Sequence, residues 1–99
     1  MLHIVNKSHT ERNSLASCLR LAQDGHALLL IEDGVLAATA ATAAASGIAA
    51  AMSRMTVYAL AGDVAARGLS GKMVAGITEI DYAGFVGLVV EQPNNHSWI

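Results

Sequence analysis

The chain reads as an α/β protein, a three-layer α/β/α sandwich built on a mostly parallel sheet of four or five strands. Three observations predict this. Short β-prone runs and segments of helical periodicity alternate along the chain, a pattern that implies right-handed crossovers with helices on both faces of a sheet. The run Ala27-Leu28-Leu29-Leu30-Ile31 is apolar at every position, as expected of a central parallel strand covered on both sides. The length, 99 residues, suits a single domain spanning 1–99 around one core and leaves little chain for insertions that would build an elaborate pocket.

The elements follow in order. Leu2 to Val5 is the first strand. Ser8-His9-Thr10-Glu11 has the S-x-x-E spacing of a capping box, which predicts a helix beginning near His9. Its apolar positions Leu15, Cys18, Leu19 and Ala22 fall on one face of a 3.6-residue period, and Asp24-Gly25 stops it. After the second strand, Glu32-Asp33-Gly34 turns the chain, with Asp33 placed to cap the next helix and Gly34 to take an unusual backbone angle. High helix propensity from Val35 to about Ala51 predicts a helix that Gly47 breaks or ends. Thr56 to Leu60 is the third strand, and Asp63 to Arg67 with Gly68 reads as a short helix and its C-terminal glycine. Ile77 to Ile80 is the fourth strand. Asp81 caps a helix with the stripe Tyr82, Phe85, Val86 and Val89, ending before Pro93, and Asn94 to Ile99 forms a final strand or a docked tail.

Composition excludes several functions. With 54% apolar and 14% charged residues the chain is far from disorder and carries more apolar side chains than one small core hides, which points to an interface. A formal charge of −2 with scattered Lys and Arg offers no basic stripe for a phosphate backbone, so direct nucleic-acid binding is not expected. The start lacks a basic region and a long apolar stretch, so no secretory signal is read and a cytoplasmic location is expected. The uncharged stretch from Gly34 to Ser53 is mostly Ala, Thr and Ser, a poor membrane span.

Candidate chemistry is sparse. In an open parallel sheet, sites gather beyond the carboxyl ends of the strands, which places Asn6 to His9, Glu32 to Val35 and Ala61 to Asp63 at one edge. Glu32 and Asp33 suit turn chemistry better than acid-base catalysis. A phosphate loop around Gly68-Leu69-Ser70-Gly71-Lys72 would need glycine at Ala66 and Ser or Thr at Met73. His3, His9, His26 and His96 are scattered rather than spaced as ligands on one helix face, so neither a metal nor a cofactor is expected. Cys18 is the only sulfur nucleophile and hence the one catalytic candidate. It sits within the apolar stripe of its helix, where neither Arg20 nor His9 lies at a spacing that would activate it.

Several segments together resemble the DsrH/TusB family of sulfur-relay subunits: Met1-Leu2-His3, the Leu-Leu-Ile-Glu-Asp-Gly-Val run from Leu29 to Val35, Val57-Tyr58-Ala59-Leu60, Asp63 with Ala66-Arg67-Gly68-Leu69, Ile80-Asp81-Tyr82 with Phe85-Val86, and Trp98. Their order and spacing cover essentially the whole chain. The resemblance implies a DsrE/DsrF/DsrH-like fold and a heterohexamer with DsrE/TusD-like and DsrF/TusC-like paralogous subunits. Such complexes relay persulfide sulfur to a DsrC/TusE-like carrier, toward tRNA wobble 2-thiouridine in the TusBCD form or in sulfur oxidation in the DsrEFH form. The main acceptor cysteine lies on the DsrE/TusD subunit, so this chain would be a noncatalytic subunit and not a self-sufficient enzyme. A cysteine in the first helix is commoner in DsrH-type members, which leans toward sulfur oxidation; the alanine-rich segment from Ala37 to Ala51 matches no family motif. Two alternatives stand beside this reading: a stand-alone thiol sulfurtransferase using Cys18, and a small-molecule binding module using Asp33 and Asp63 at the carboxyl edge. A homodimer is possible where the paralogues are absent.

Overall fold

The apolar run at the centre of the sequence becomes the centre of the sheet. The computed structural model describes residues 1–92 and 94–98. Among them are five strands, β1 (Leu2–Val5), β2 (Ala27–Leu30), β3 (Thr56–Leu60), β4 (Thr78–Ile80) and β5 (Asn95–Trp98), in the order β4-β3-β2-β1-β5 with every pairing parallel. β2 is buried at all four positions because side chains leave a strand alternately and both faces are covered. Leu28 and Leu30 enter the larger of two apolar clusters, and Ala27 and Leu29 enter the smaller. β1 divides in the same way, Val5 to the larger cluster and Leu2 and Ile4 to the smaller. The final segment is a strand, paired along β1 from Leu2↔Asn95 to Val5↔Trp98, while Pro93 and Ile99 lie outside the described residues.

Helices cover the two faces unequally. The larger cluster is closed by α1 (Ser14–Leu21), a 3-10 helix over Glu32–Ala38, α2 (Ala43–Ser46), α3 (Ile48–Ala51) and α4 (Ala61–Ala66). The smaller is closed by α5 (Tyr82–Glu91) alone, through buried Leu88 and half-buried Phe85 and Val89. The layers are those the sequence predicts, with the second helical layer only one helix wide.

Three expectations need correction. α1 starts at Ser14 and not near His9, because the Glu11 and Arg12 amides both donate to the Ser8 backbone carbonyl (3.0 and 3.1 Å) while the Ser8 hydroxyl bonds Thr10. Residues 8–12 thus form a turn in place of a capping box. The buried stripe of α1, Leu15 and Cys18 with Ala22 just beyond its end, is as expected.

The alanine-rich segment is three short pieces, not one helix. Gly47 stands at φ +90° between α2 and α3. Bonds from elsewhere hold the bends: Ala40 N–H donates to Lys72 O (2.9 Å), Val74 N–H to Ala38 O (2.8 Å), and the Ser46 hydroxyl to Ala37 O (2.7 Å). Small side chains let this backbone lie directly on the sheet, and Ala37, Ala38, Ala43 and Ala51 are all buried. Among the described residues no helix is long and apolar enough to cross a membrane.

On α5, Asp81 caps as expected, accepting the Gly84 amide at 2.8 Å. The buried face, however, is Phe85, Leu88 and Val89; Tyr82 is 71% exposed, Val86 46% and Val90 74%. A helix apolar on every side does not reveal which face will be covered, so packing partners decide it.

Candidate functional site

Parallel strands deliver their carboxyl ends to one edge, and the turns beyond β1, β2 and β3 meet there through a clamp that joins two of them. Asp63 Oδ2 accepts the Glu32 amide at 2.7 Å. Arg67 Nε donates to Asp33 Oδ1 at 2.9 Å, and its Nη1 lies 3.7 Å from Asp63 Oδ1. One guanidinium therefore serves two carboxylates that would otherwise repel. Asp33 is not a helix cap; its side chain is held on Arg67. The unusual backbone angle belongs to Glu32, at φ +50°, and not to Gly34. Such an angle costs a non-glycine residue about 1–2 kcal/mol, and the bond from Asp63 offsets it. Gly34 has a different role: a Cβ there would overlap the carbonyl oxygen of Val5. Nearby in sequence, Asn6 Oδ1 and His9 Nδ1 are buried without a hydrogen-bond partner among the described residues. The two carboxylates that a binding module would offer are thus already engaged. Gly68 to Lys72 is a connecting loop whose Lys72 carbonyl is taken by Ala40.

Cys18 is fully buried. Burial pushes its thiol up to about 11, with the Arg54 cation acting in the opposite direction. No local pattern singles out Arg54, which sits between α3 and β3 and reaches back to the end of α1. There it donates to Leu19 O (2.6 Å) and Ala22 O (2.8 Å), satisfying two carbonyls that the helix leaves open, and lies 3.8 Å from Asp24. Arg54→Met is expected to lower stability by about 1–2 kcal/mol, below the full worth of two charge-assisted bonds because water can reach part of the site. Thermal melting of the variant checks this; an unchanged midpoint would show that the carbonyls are equally well served by water.

The histidines are less scattered than their spacing suggests. His3 Nε2 lies 2.9 Å from His26 Nδ1, Trp98 Nε1 donates to His3 Nδ1 at 3.1 Å, and the ring centroids of His96 and Trp98 lie 4.5 Å apart with their planes tilted by 55°. Strand pairing makes this cluster, since β1 lies between the start of β2 and β5, and no local spacing encodes it. His9 lies apart in the loop after β1. Among the described residues no three His, Cys, Asp or Glu side chains are grouped to hold a metal ion.

Comparison with known proteins places this architecture. The family model described as DsrH like protein matches residues 7–95. The chain is 43% identical over 84 residues to Protein TusB of Sodalis glossinidius, covering 85% of this chain and 86% of that one. It is 39% identical over 98 residues to Protein TusB of Escherichia coli K12, covering 99% and 100%. Two solved structures share the fold: a protein of unknown function from Methanobacterium thermoautotrophicum (TM-score 0.72, 12% identity, 97% and 95% coverage) and a Thermotoga maritima protein (0.63, 21%, 95% and 97%). With a matched family model over nearly the whole length and full-length relatives near 40% identity, the chain belongs to the DsrH/TusB family.

Proposed function

We propose that residues 1–99 act as one domain, a noncatalytic subunit of a cytoplasmic hetero-oligomer that relays persulfide sulfur for tRNA wobble thiolation. Its partners are DsrE/TusD-like and DsrF/TusC-like paralogues, with a DsrC/TusE-like protein as the next carrier. The observation that carries this reading is the burial of Cys18. The chain's one thiol is closed off in the core and protonated at neutral pH, and a protonated, inaccessible thiol neither attacks a persulfide nor accepts its sulfur. The same observation disfavours a stand-alone thiol enzyme. The exposed Tyr82, Val86 and Val90 on α5 support assembly, because they form an apolar stripe that one small domain leaves in water.

The burial of Cys18 also removes it as a marker of the pathway branch. A cysteine in α1 leans toward sulfur oxidation only if it carries sulfur; as a packing residue it has no bearing on the pathway. The relatives named TusB then favour the tRNA branch.

The test loads the reconstituted three-subunit complex with labelled sulfur and maps persulfides by mass spectrometry. Cys18→Ser is expected to leave assembly intact and to change delivery to the carrier less than twofold. If label accumulated first on Cys18 and delivery stopped in the variant, this chain would be a catalytic relay subunit. Alkylation gives a second check: the thiol should resist reagent from pH 7 to 9 in the folded chain and react at once on denaturation.

A further inference from the structure

We infer that His3, His26 and Trp98 form an acid-released latch that holds the edge strand β5 on the sheet. Two groups that can only donate fix the protons. The Gln23 backbone amide donates to His26 Nδ1 at 3.2 Å, so that nitrogen carries no hydrogen. The proton in the 2.9 Å bond between the two imidazoles therefore sits on His3 Nε2. The indole N–H of Trp98 donates to His3 Nδ1, so that nitrogen also carries none. Both rings are neutral, each with one possible tautomer, and the bonds run in one direction from Trp98 through His3 to His26.

An added proton has nowhere to go without breaking a bond. On His3 it must take Nδ1, where it faces the indole N–H. On His26 it must take Nδ1, where it faces both the Gln23 amide and His3 Nε2–H. The surroundings do not favour a cation either. His3 is 3% exposed, and its imidazole is held below the ordinary 6.5 by burial first, then by His26, the N-terminal ammonium and His96. The turn carrying His26 holds Asp24, which is solvent-exposed and directed to Arg54, and α1 contributes Arg20, whose guanidinium reaches Ser17 on the exposed side. A released strand takes up the proton more readily than a latched one. The latch is thus at full strength above pH 6.5 and weakens as the pH falls below it.

β5 depends on this contact. It pairs with β1 only, and Asn95, His96 and Ser97 are exposed, so Trp98 is its one half-buried anchor. β5 meets the larger cluster through Trp98 and touches α1, but the buried residues of that cluster all come from β1, β2, β3 and the helices and segments between and after them. Acid therefore frees the outer strand first and leaves the remaining sheet in place, uncovering the outer edge of β1.

Amide hydrogen exchange of the full chain from pH 8 to pH 5, corrected for the intrinsic pH dependence of exchange, reads this directly. Below pH 6.5 the opening of β5 should rise by up to about tenfold per pH unit for each proton coupled, while β2 and β3 keep their protection. In His3→Gln/His26→Asn, whose side chains do not titrate, that dependence should vanish. Trp98→Phe supplies an independent arm: β5 should already be weakly protected at pH 8. The single tryptophan gives a fluorescence readout, made in His96→Asn because an imidazole this close to the indole would affect its emission directly. The latch is overturned if β5 protection stays flat across the range, if it falls equally in the double variant, or if β2 and β3 lose protection in step with it.

Discussion

Gly34→Ala is expected to destabilise the protein by about 3 kcal/mol, lowering the melting midpoint by roughly 15 °C, and Gly34→Val to prevent folding. The reason is contact, not flexibility. The turn after β2 folds beneath the end of β1 so closely that a methyl group on Gly34 would occupy the space of the Val5 carbonyl oxygen. That oxygen cannot swing aside, because it accepts the Ile31 amide at 3.0 Å, and β1 itself is paired on both sides. A flexible neighbouring side chain would yield at small cost; a backbone carbonyl fixed in a ladder yields only if the sheet distorts. Gly62, which has nothing within reach of an added Cβ, is the control, and its alanine variant should melt within about 0.5 kcal/mol of wild type. Equal midpoints for the two alanine variants would mean that the turn does not lie against β1 as described.

The second large effect is on assembly. Val86→Asp/Val90→Asp is expected to weaken association with the proposed paralogous subunits by about a hundredfold or more, while leaving the melting of the separate chain nearly unchanged. Val86 and Val90 are 46% and 74% exposed, so charges there meet water in the free chain. Buried against a partner, the same carboxylates would be desolvated without a counter-ion. The wild-type chain alone should self-associate through this stripe and become soluble on co-expression with its paralogues, and sedimentation distinguishes the cases. Unaltered co-sedimentation of the double variant would move the interface elsewhere.

What the sequence made legible were features determined locally or by burial on all sides. β2 was readable because a strand covered on both faces has no polar position to mask it, and the Asp81 cap because its bond to Gly84 spans three residues. The alanine-rich segment was misread because propensity favours a helix, whereas carbonyls and amides of Ala38, Ala40, Lys72 and Val74 pair across distant chain and bend it. The face of α5 was misread because its apolar residues surround the axis. At the carboxyl edge Asp33 and Asp63 are legible as candidates, whereas Arg67, which joins them, reads only as the end of its helix and part of the family pattern. Arg54 and the imidazole cluster were missed for the same reason. Each depends on which strands become neighbours, and that information is spread over the whole chain.

The strand order also bears on how the molecule is made. β1 pairs with β2 as soon as both exist, and β3 and β4 add outward in turn, each on a freshly exposed edge. β5 alone returns to the opposite side, so the Leu2↔Asn95 pairing joins the two extremes of the described chain. A contact of such long sequence separation forms slowly, because the closure entropy must be lost before the pairing rewards it. During synthesis on the ribosome, a nascent chain therefore carries a nearly complete sheet whose first strand offers an open row of amides and carbonyls until β5 emerges. That interval is when it is most exposed to pairing with the wrong strand.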